Sequence, residues 1–204
     1  MEIVLATQNE DKIKEIKTIL KGLPVKLITF KEIPLSPSVE EDGKTLEENA
    51  IKKASAWMGK TGKPALADDS GLEVDYLNGA PGVYSSRFAG ETATYKDNNV
   101  KLLRMMERVP EENRKARFEC VAALVFPDGK KELFQGTIEG IIINAPRGKS
   151  GFGYDPVFLI PEYNKTFAEL GDKIKNKISH RAIAFGKLRK YLEVYLNKGV
   201  AYIG

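Results

Sequence analysis

Asp68 and Asp69 are the residues of this sequence best suited to chemistry, standing side by side after the apolar run Ala65-Leu66-Ala67 and before Ser70-Gly71. Carboxylates where a buried strand ends suit Mg2+, a hard cation that takes oxygen ligands, keeps several waters and shares substrate phosphates. In extended backbone successive side chains point to opposite faces, so one of the pair can reach a metal while the other holds structure. Asp-Asp-Ser-Gly is also ordinary turn chemistry, and spacing alone leaves both readings open.

Other groups could complete a site. Glu40, Glu41 and Asp42 form a second carboxylate cluster before Gly43, which could face a metal or lie in a solvated loop. Thr7, Gln8, Asn9, Glu10, Asp11 and Lys12 place a hydroxyl, amides and an ammonium where a helix begins, and free N–H groups there attract phosphate. An ordinary N-cap by Asn9 or Asp11 gives the same pattern. The Gly-rich residues 146–156 include Phe152, Gly153, Tyr154 and Asp155, aromatic faces that could stack on a base beside an acceptor for a ring N–H. The plain alternative is a turn with Phe152 tucked into the core. Gly148-Lys149-Ser150 is no P-loop, because Ile143 stands where glycine is required and Gly151 follows in place of a helix.

Lys173, Lys175, Lys177, Arg181, Lys187, Arg189 and Lys190 make the C-terminal region basic, as a nucleic-acid stripe or as a solvated helix face. His180 and Arg181 within it could donate to a carbonyl. One histidine and one cysteine, Cys120, make no zinc site, and the apolar neighbours of Cys120 place it in a buried strand.

Hydrophobic periodicity supplies the elements that position these groups. Residues 3–6 read as a buried strand, and Ile13, Ile16, Ile19 and Leu20 as a helix stopped by Gly22 and Pro24. Residues 25–30 predict a second strand. Thr45 and Glu48 make a capping-box pattern opening a helix with Ala50, Ala54 and Trp57 on one face, ended by Gly59 and Gly62. Residues 65–67 predict a short strand with the two aspartates at its end. Leu102, Leu103 and Met106 indicate a helix ending before Pro110; residues 117–126 form a long strand, followed by strands at 131–134 and 137–143. Ala182, Phe185, Leu188, Leu192 and Leu196 give a C-terminal helix.

The 204 residues, 42% of them hydrophobic, suffice for a sizeable core, and neither repeats nor low-complexity linkers divide them. A net charge of +4 is too weak to demand nucleic acid or membrane as a partner. Met1-Glu2 leads directly into apolar residues without a basic signal region, and no apolar run approaches the ~20 residues of a membrane span. The expected location is the cytoplasm.

Taken in order, five blocks resemble the inosine triphosphate pyrophosphatase family, the Ham1-like non-canonical purine nucleoside triphosphate pyrophosphatases. They are Ala6-Thr7-Gln8-Asn9 with Lys12; Glu41-Asp42-Gly43-Lys44-Thr45-Leu46 with Glu48-Asn49-Ala50; Ala67-Asp68-Asp69-Ser70-Gly71-Leu72; Gly151-Phe152-Gly153-Tyr154-Asp155-Pro156; and Lys175-Asn176-Lys177-Ile178-Ser179-His180-Arg181. Leu46 departs from the family's usual phenylalanine, and Gln8 stands at a variable position. The resemblance implies an α/β fold, a mixed central sheet flanked by helices with two lobes around an active-site cleft, residues 1–204 acting as one ITPase-like domain, and a homodimer.

It also implies Mg2+-assisted hydrolysis between the α- and β-phosphates of ITP, dITP or XTP. Asp69 is then the expected catalytic proton acceptor, directly or through metal-activated water, and with Glu41 a metal ligand. Ser70 is a substrate contact, while residues 7–12, Phe152, Gly153, Tyr154, Asp155, Lys175, His180 and Arg181 bind the nucleotide. His180 and Arg181 are expected to read the 6-oxo group, where adenine would leave such donors unpaired. The rival readings are a Maf-like pyrophosphatase acting on pyrimidine or modified nucleotides, and a nucleic-acid-binding module without turnover. A haloacid-type phosphatase would want its aspartates two apart, not adjacent.

Overall fold

Short apolar strands alternating with amphipathic helices build the first part of the chain. The structure, a computed structural model, describes residues 1–200. The strands are β1 (Glu2–Leu5), β2 (Lys26–Ile28), β3 (Ala65–Val74), β4 (Lys115–Val125), β5 (Lys131–Ile142), β6 (Phe158–Ile160) and β7 (Lys165–Thr166). The helices are α1 (Glu10–Ile19), α2 (Leu46–Thr61), α3 (Tyr95–Met105), α4 (Phe167–Leu170), α5 (Asp172–Ile178) and α6 (His180–Val200). One seven-stranded open sheet runs β2-β1-β3-β4-β5-β6-β7, parallel where β1 meets β2 and β3, antiparallel where β6 meets β5 and β7. The expected mixed sheet flanked by helices is therefore present.

The chain forms two compact units. Unit 1 takes in Met1–Asp69, Cys120–Gly136 and the described residues from Arg181 onward; unit 2 takes in Ser70–Glu119 and Thr137–His180. In unit 1, Ile13 and Ile16 of α1 and Phe185, Leu188 and Leu192 of α6 pack with Leu5, Leu66 and Leu124 of the strands. In unit 2, Leu102 and Met106 pack with Leu72, Phe118, Phe158 and Phe167. Complete burial of side chains this size stabilises each core by about 1.5–3 kcal/mol apiece.

Several boundaries differ from those expected. The aspartates lie inside the ten-residue β3, not at its end, and the Asp-Asp-Ser-Gly turn does not form. A ladder that continues through them explains why: Leu72 and Val74 return to full burial beyond the polar pair and extend the strand. The strands expected at 131–134 and 137–143 are one, because Gln135 and Gly136 interrupt the apolar pattern without breaking the ladder. Gly59 sits within α2, whose end comes at Gly62 with φ +64°, the left-handed conformation glycine adopts freely. Strands β6 and β7 and helices α4 and α5 are too short to register as periodicity.

Candidate active site

In unit 1 the continuous β3 settles what adjacency of the aspartates does. Asp68 shares a face with Leu66, toward α1 and α6; its Oδ2 accepts from Arg181 Nε at 3.2 Å and Nη2 at 3.0 Å and lies 3.1 Å from Lys12 Nζ. Arg181 also reaches Glu15 Oε2 at 2.6 Å. Burial disfavours the Asp68 charge, but Lys12 and Arg181 outweigh it and hold the carboxyl well below the usual carboxylate range.

Asp69 points the other way, to α2. Its Oδ1 accepts from Lys53 Nζ at 3.1 Å and its Oδ2 from Asn49 Nδ2 at 3.1 Å. Lys53 Nζ also donates to Glu41 Oε1 at 2.8 Å, so two carboxylates from distant parts of the sequence converge on one positive charge. Burial, reinforced by the Glu41 charge, pushes Asp69 up from the ordinary aspartate value against Lys53 and Lys12. For Glu41, burial is outweighed by Lys53 and the carboxyl is lowered.

Local sequence explains this convergence. Thr45 caps α2 by accepting from Glu48 N at 3.1 Å, while the Glu48 side chain accepts from Lys44 N at 2.7 Å, one residue earlier than a strict capping box requires. Asn49 Oδ1 accepts from Gly43 N at 2.8 Å, tying the acidic loop to the helix start. A Cβ at Gly43 would lie 2.5 Å from that oxygen, so glycine permits the approach.

The arrangement fits Mg2+ by its donor chemistry. Glu41 and Asp69 offer oxygen only and already face a shared cation. Among the described residues no group of three or more His, Cys, Asp and Glu forms a ready-made cage. Two carboxylates completed by water and phosphate oxygens is the usual Mg2+ arrangement. At the start of α1, Asn9 is the N-cap and accepts from Lys12 N at 3.1 Å, and Thr7 accepts from Asn9 N at 3.2 Å. Gln8, Glu10 and Asp11 are exposed, with Glu10 2.8 Å from Lys31.

In unit 2, Ser70 is half-buried in β3. The loop 151–155 is held from within: Asp155 Oδ2 accepts from Phe152 N at 2.8 Å and from Lys175 Nζ at 2.5 Å. Lys175 Nζ lies 4.2 Å from the centre of the half-buried Phe152 ring. Gly151 has φ +77°, and a Cβ there would overlap the Asp155 carboxylate. Tyr154 is buried, and its hydroxyl donates to Ser85 O at 2.9 Å. His180 opens α6 and stacks on Phe118, with centroids 4.7 Å apart and planes 13° off parallel.

Unit 1 thus gathers residues 7–12, Glu41, Asp68, Asp69 and Arg181, and unit 2 gathers Ser70, residues 152–155, Lys175 and His180. The basic C-terminal residues do not form a common face: Lys175 and Arg181 are buried in ion pairs, and Arg189 donates to Ile19 O and Lys21 O. Sequence reasoning missed Lys53, Asn49 and Glu15. Lys53 and Glu15 had a readable signal, each being a charged residue at helical spacing within an apolar face.

Similarity to known proteins extends over most of the chain. The family model described as the Ham1 family matches residues 3–191. A dITP/XTP pyrophosphatase of Geobacter sulfurreducens is 52% identical over 190 residues, covering 93% of this chain and 96% of that one. Another from Desulforamulus reducens is 50% identical, covering 98% and 100%. Among solved structures, a HAM1 protein from Coxiella burnetii superimposes with a TM-score of 0.87 at 45% identity, covering 95% of this chain and 98% of that one.

Proposed function

This chain belongs to the Ham1 family, and from that premise we propose that it hydrolyses dITP, XTP and ITP to the monophosphate and pyrophosphate, clearing non-canonical purines from the nucleotide pool. The observation that carries this reading is the convergence of Glu41 and Asp69 on one cation, beside a neighbouring Asp68 whose charge is already neutralised.

Glu41 and Asp69 would hold Mg2+, which when bound supplies a hard positive charge against the phosphates. Lys12 and the α1 N-terminus, with Thr7, Gln8, Asn9, Glu10 and Asp11 around it, would bind the triphosphate, and Lys53 would offset the charge that develops on it. Water attacks the α-phosphorus in line, and pyrophosphate leaves. Asp69 would accept the proton of the attacking water. Catalysis is then largely positioning and electrostatics.

Ser70, Phe152 and Gly153 would contact the nucleotide, with Tyr154, Asp155 and Lys175 setting the loop's shape. His180 would donate to the 6-oxo group. Arg181 is engaged by Asp68 and Glu15 and would hold Asp68 in place, leaving the 6-oxo contact to His180. As the resemblance implies, the chain would work as one domain in a cytoplasmic homodimer. No helix among the described residues is long and apolar enough to cross a membrane.

Turnover of ITP in 18O-labelled water with Mg2+ tests the reaction. Attack at the α-phosphorus puts label in the monophosphate. Label in pyrophosphate or orthophosphate would overturn the proposal. Running dTTP and UTP alongside ITP separates it from a Maf-like pyrophosphatase.

A further inference from the structure

Helix α3 makes two kinds of contact in unit 2. Leu102 and Met106 face the apolar core. Asn98 and Asn99 are also buried, at 2% and 8% exposure, and use their amides differently. Asn98 is satisfied at both ends, accepting from Ala89 N at 2.7 Å and donating to Ser86 O at 3.0 Å. Asn99 Nδ2 donates to Gly153 O at 2.8 Å, across 54 positions of sequence, whereas its Oδ1 has no hydrogen-bond partner among the described residues.

A buried amide with an unmet acceptor carries a desolvation cost that an apolar side chain of similar size would avoid. Its polar gain is the bond to Gly153. That glycine has φ +62° with open space where a Cβ would point, so its backbone conformation, not crowding, singles it out, and the Asn99 bond holds its carbonyl. Tyr95, four residues earlier and so on the same helix face, sets its ring 5.9 Å from Phe152. Helix α3 therefore grips two consecutive residues of the loop, one through the backbone and one through the aromatic face.

We infer that Asn99, assisted by Tyr95, is a positioning residue that fixes the Phe152-Gly153 face for the purine and so sets affinity and base preference. This rests on the nucleotide reading above. The groups assigned to the reacting phosphate, Asp69, Glu41, Lys53 and Lys12, belong to other elements, so loss of Asn99 raises KM and spares kcat.

The test uses the full chain with Mg2+, measuring kcat and KM for ITP and ATP in wild type, Asn99→Asp, Asn99→Leu and Tyr95→Leu, with melting curves for each. Asn99→Asp and Asn99→Leu remove the donor and raise KM for ITP by about fivefold or more, with kcat within about threefold and a smaller ITP-over-ATP preference. Tyr95 is 43% exposed, so Tyr95→Leu leaves the fold intact and raises KM by about twofold or more. Wild type that cleaves ITP while all three variants keep its KM and preference overturns this inference alone. A fall confined to kcat also overturns it. Wild type that leaves ITP uncleaved overturns the functional reading and the inference with it.

Discussion

In unit 1 the candidate machinery is charge. Asp68, Asp69, Glu41 and Glu15 meet Lys12, Lys53 and Arg181, so the named groups carry one more acid than base and together favour an added cation. In unit 2 the machinery is shape: a glycine-bearing loop pinned by one buried ion pair, a tyrosine hydroxyl and an asparagine amide, presenting an aromatic face. The difference teaches where damage should appear. Charge that changes during reaction belongs to kcat and its pH dependence, whereas a preformed face belongs to KM.

The largest contrast lies within unit 1 itself. Asp69→Asn should lower kcat about a thousandfold with little change in melting, because it removes the proposed proton acceptor and metal ligand. Asp68→Asn should instead destabilise by about 3 kcal/mol, since it leaves Arg181 and Lys12 without their shared buried carboxylate. Matched kinetics and urea melts of the two variants would break the account if their effects were interchanged.

Next comes the ion pair of unit 2. Lys175→Met strands Asp155, whose side chain is 2% exposed, and should raise KM for ITP about tenfold while costing about 3 kcal/mol of stability. A smaller effect of the same kind is expected of Gly151→Ala, which strains a left-handed residue by about 1–3 kcal/mol and drives a methyl against Asp155. Steady-state kinetics should show KM rising more than kcat falls; the reverse would erase the distinction between the units.

The smallest effects are those of pH. Asp68 has a folded value below its unfolded one, so its contribution to stability is present above about pH 4 and is lost as pH falls further. Urea midpoints should drop there in wild type, and less steeply in Asp68→Asn. Asp69 has the opposite sign. Protonating at higher pH than an ordinary aspartate, it should weaken Mg2+ binding, followed by calorimetry, starting above about pH 4 as pH falls. An affinity flat down to that pH would count against the assignment.

Much of this was legible in the sequence. Residues at helical spacing placed α1, α2 and α6, and the opposite faces of Asp68 and Asp69 followed from extended backbone alone. The interior position of the aspartates was not, because four polar or small residues look like a turn unless the strand beyond them is known to pair. Lys53 was half legible: its spacing on the apolar face of α2 pointed to burial, but only Asp69 and Glu41, distant in sequence, make it a buried counter-charge. Asn99 was invisible for the same reason, since its partner Gly153 lies far along the chain.

The most direct test of the central claim is the initial rate of pyrophosphate release from ITP and from ATP by the purified chain with Mg2+. The account predicts pyrophosphate as product and an ITP rate at least about tenfold above ATP, the discrimination expected when a buried donor meets oxygen in one base and an amino group in the other. Equal rates, or orthophosphate as the sole product, would contradict it.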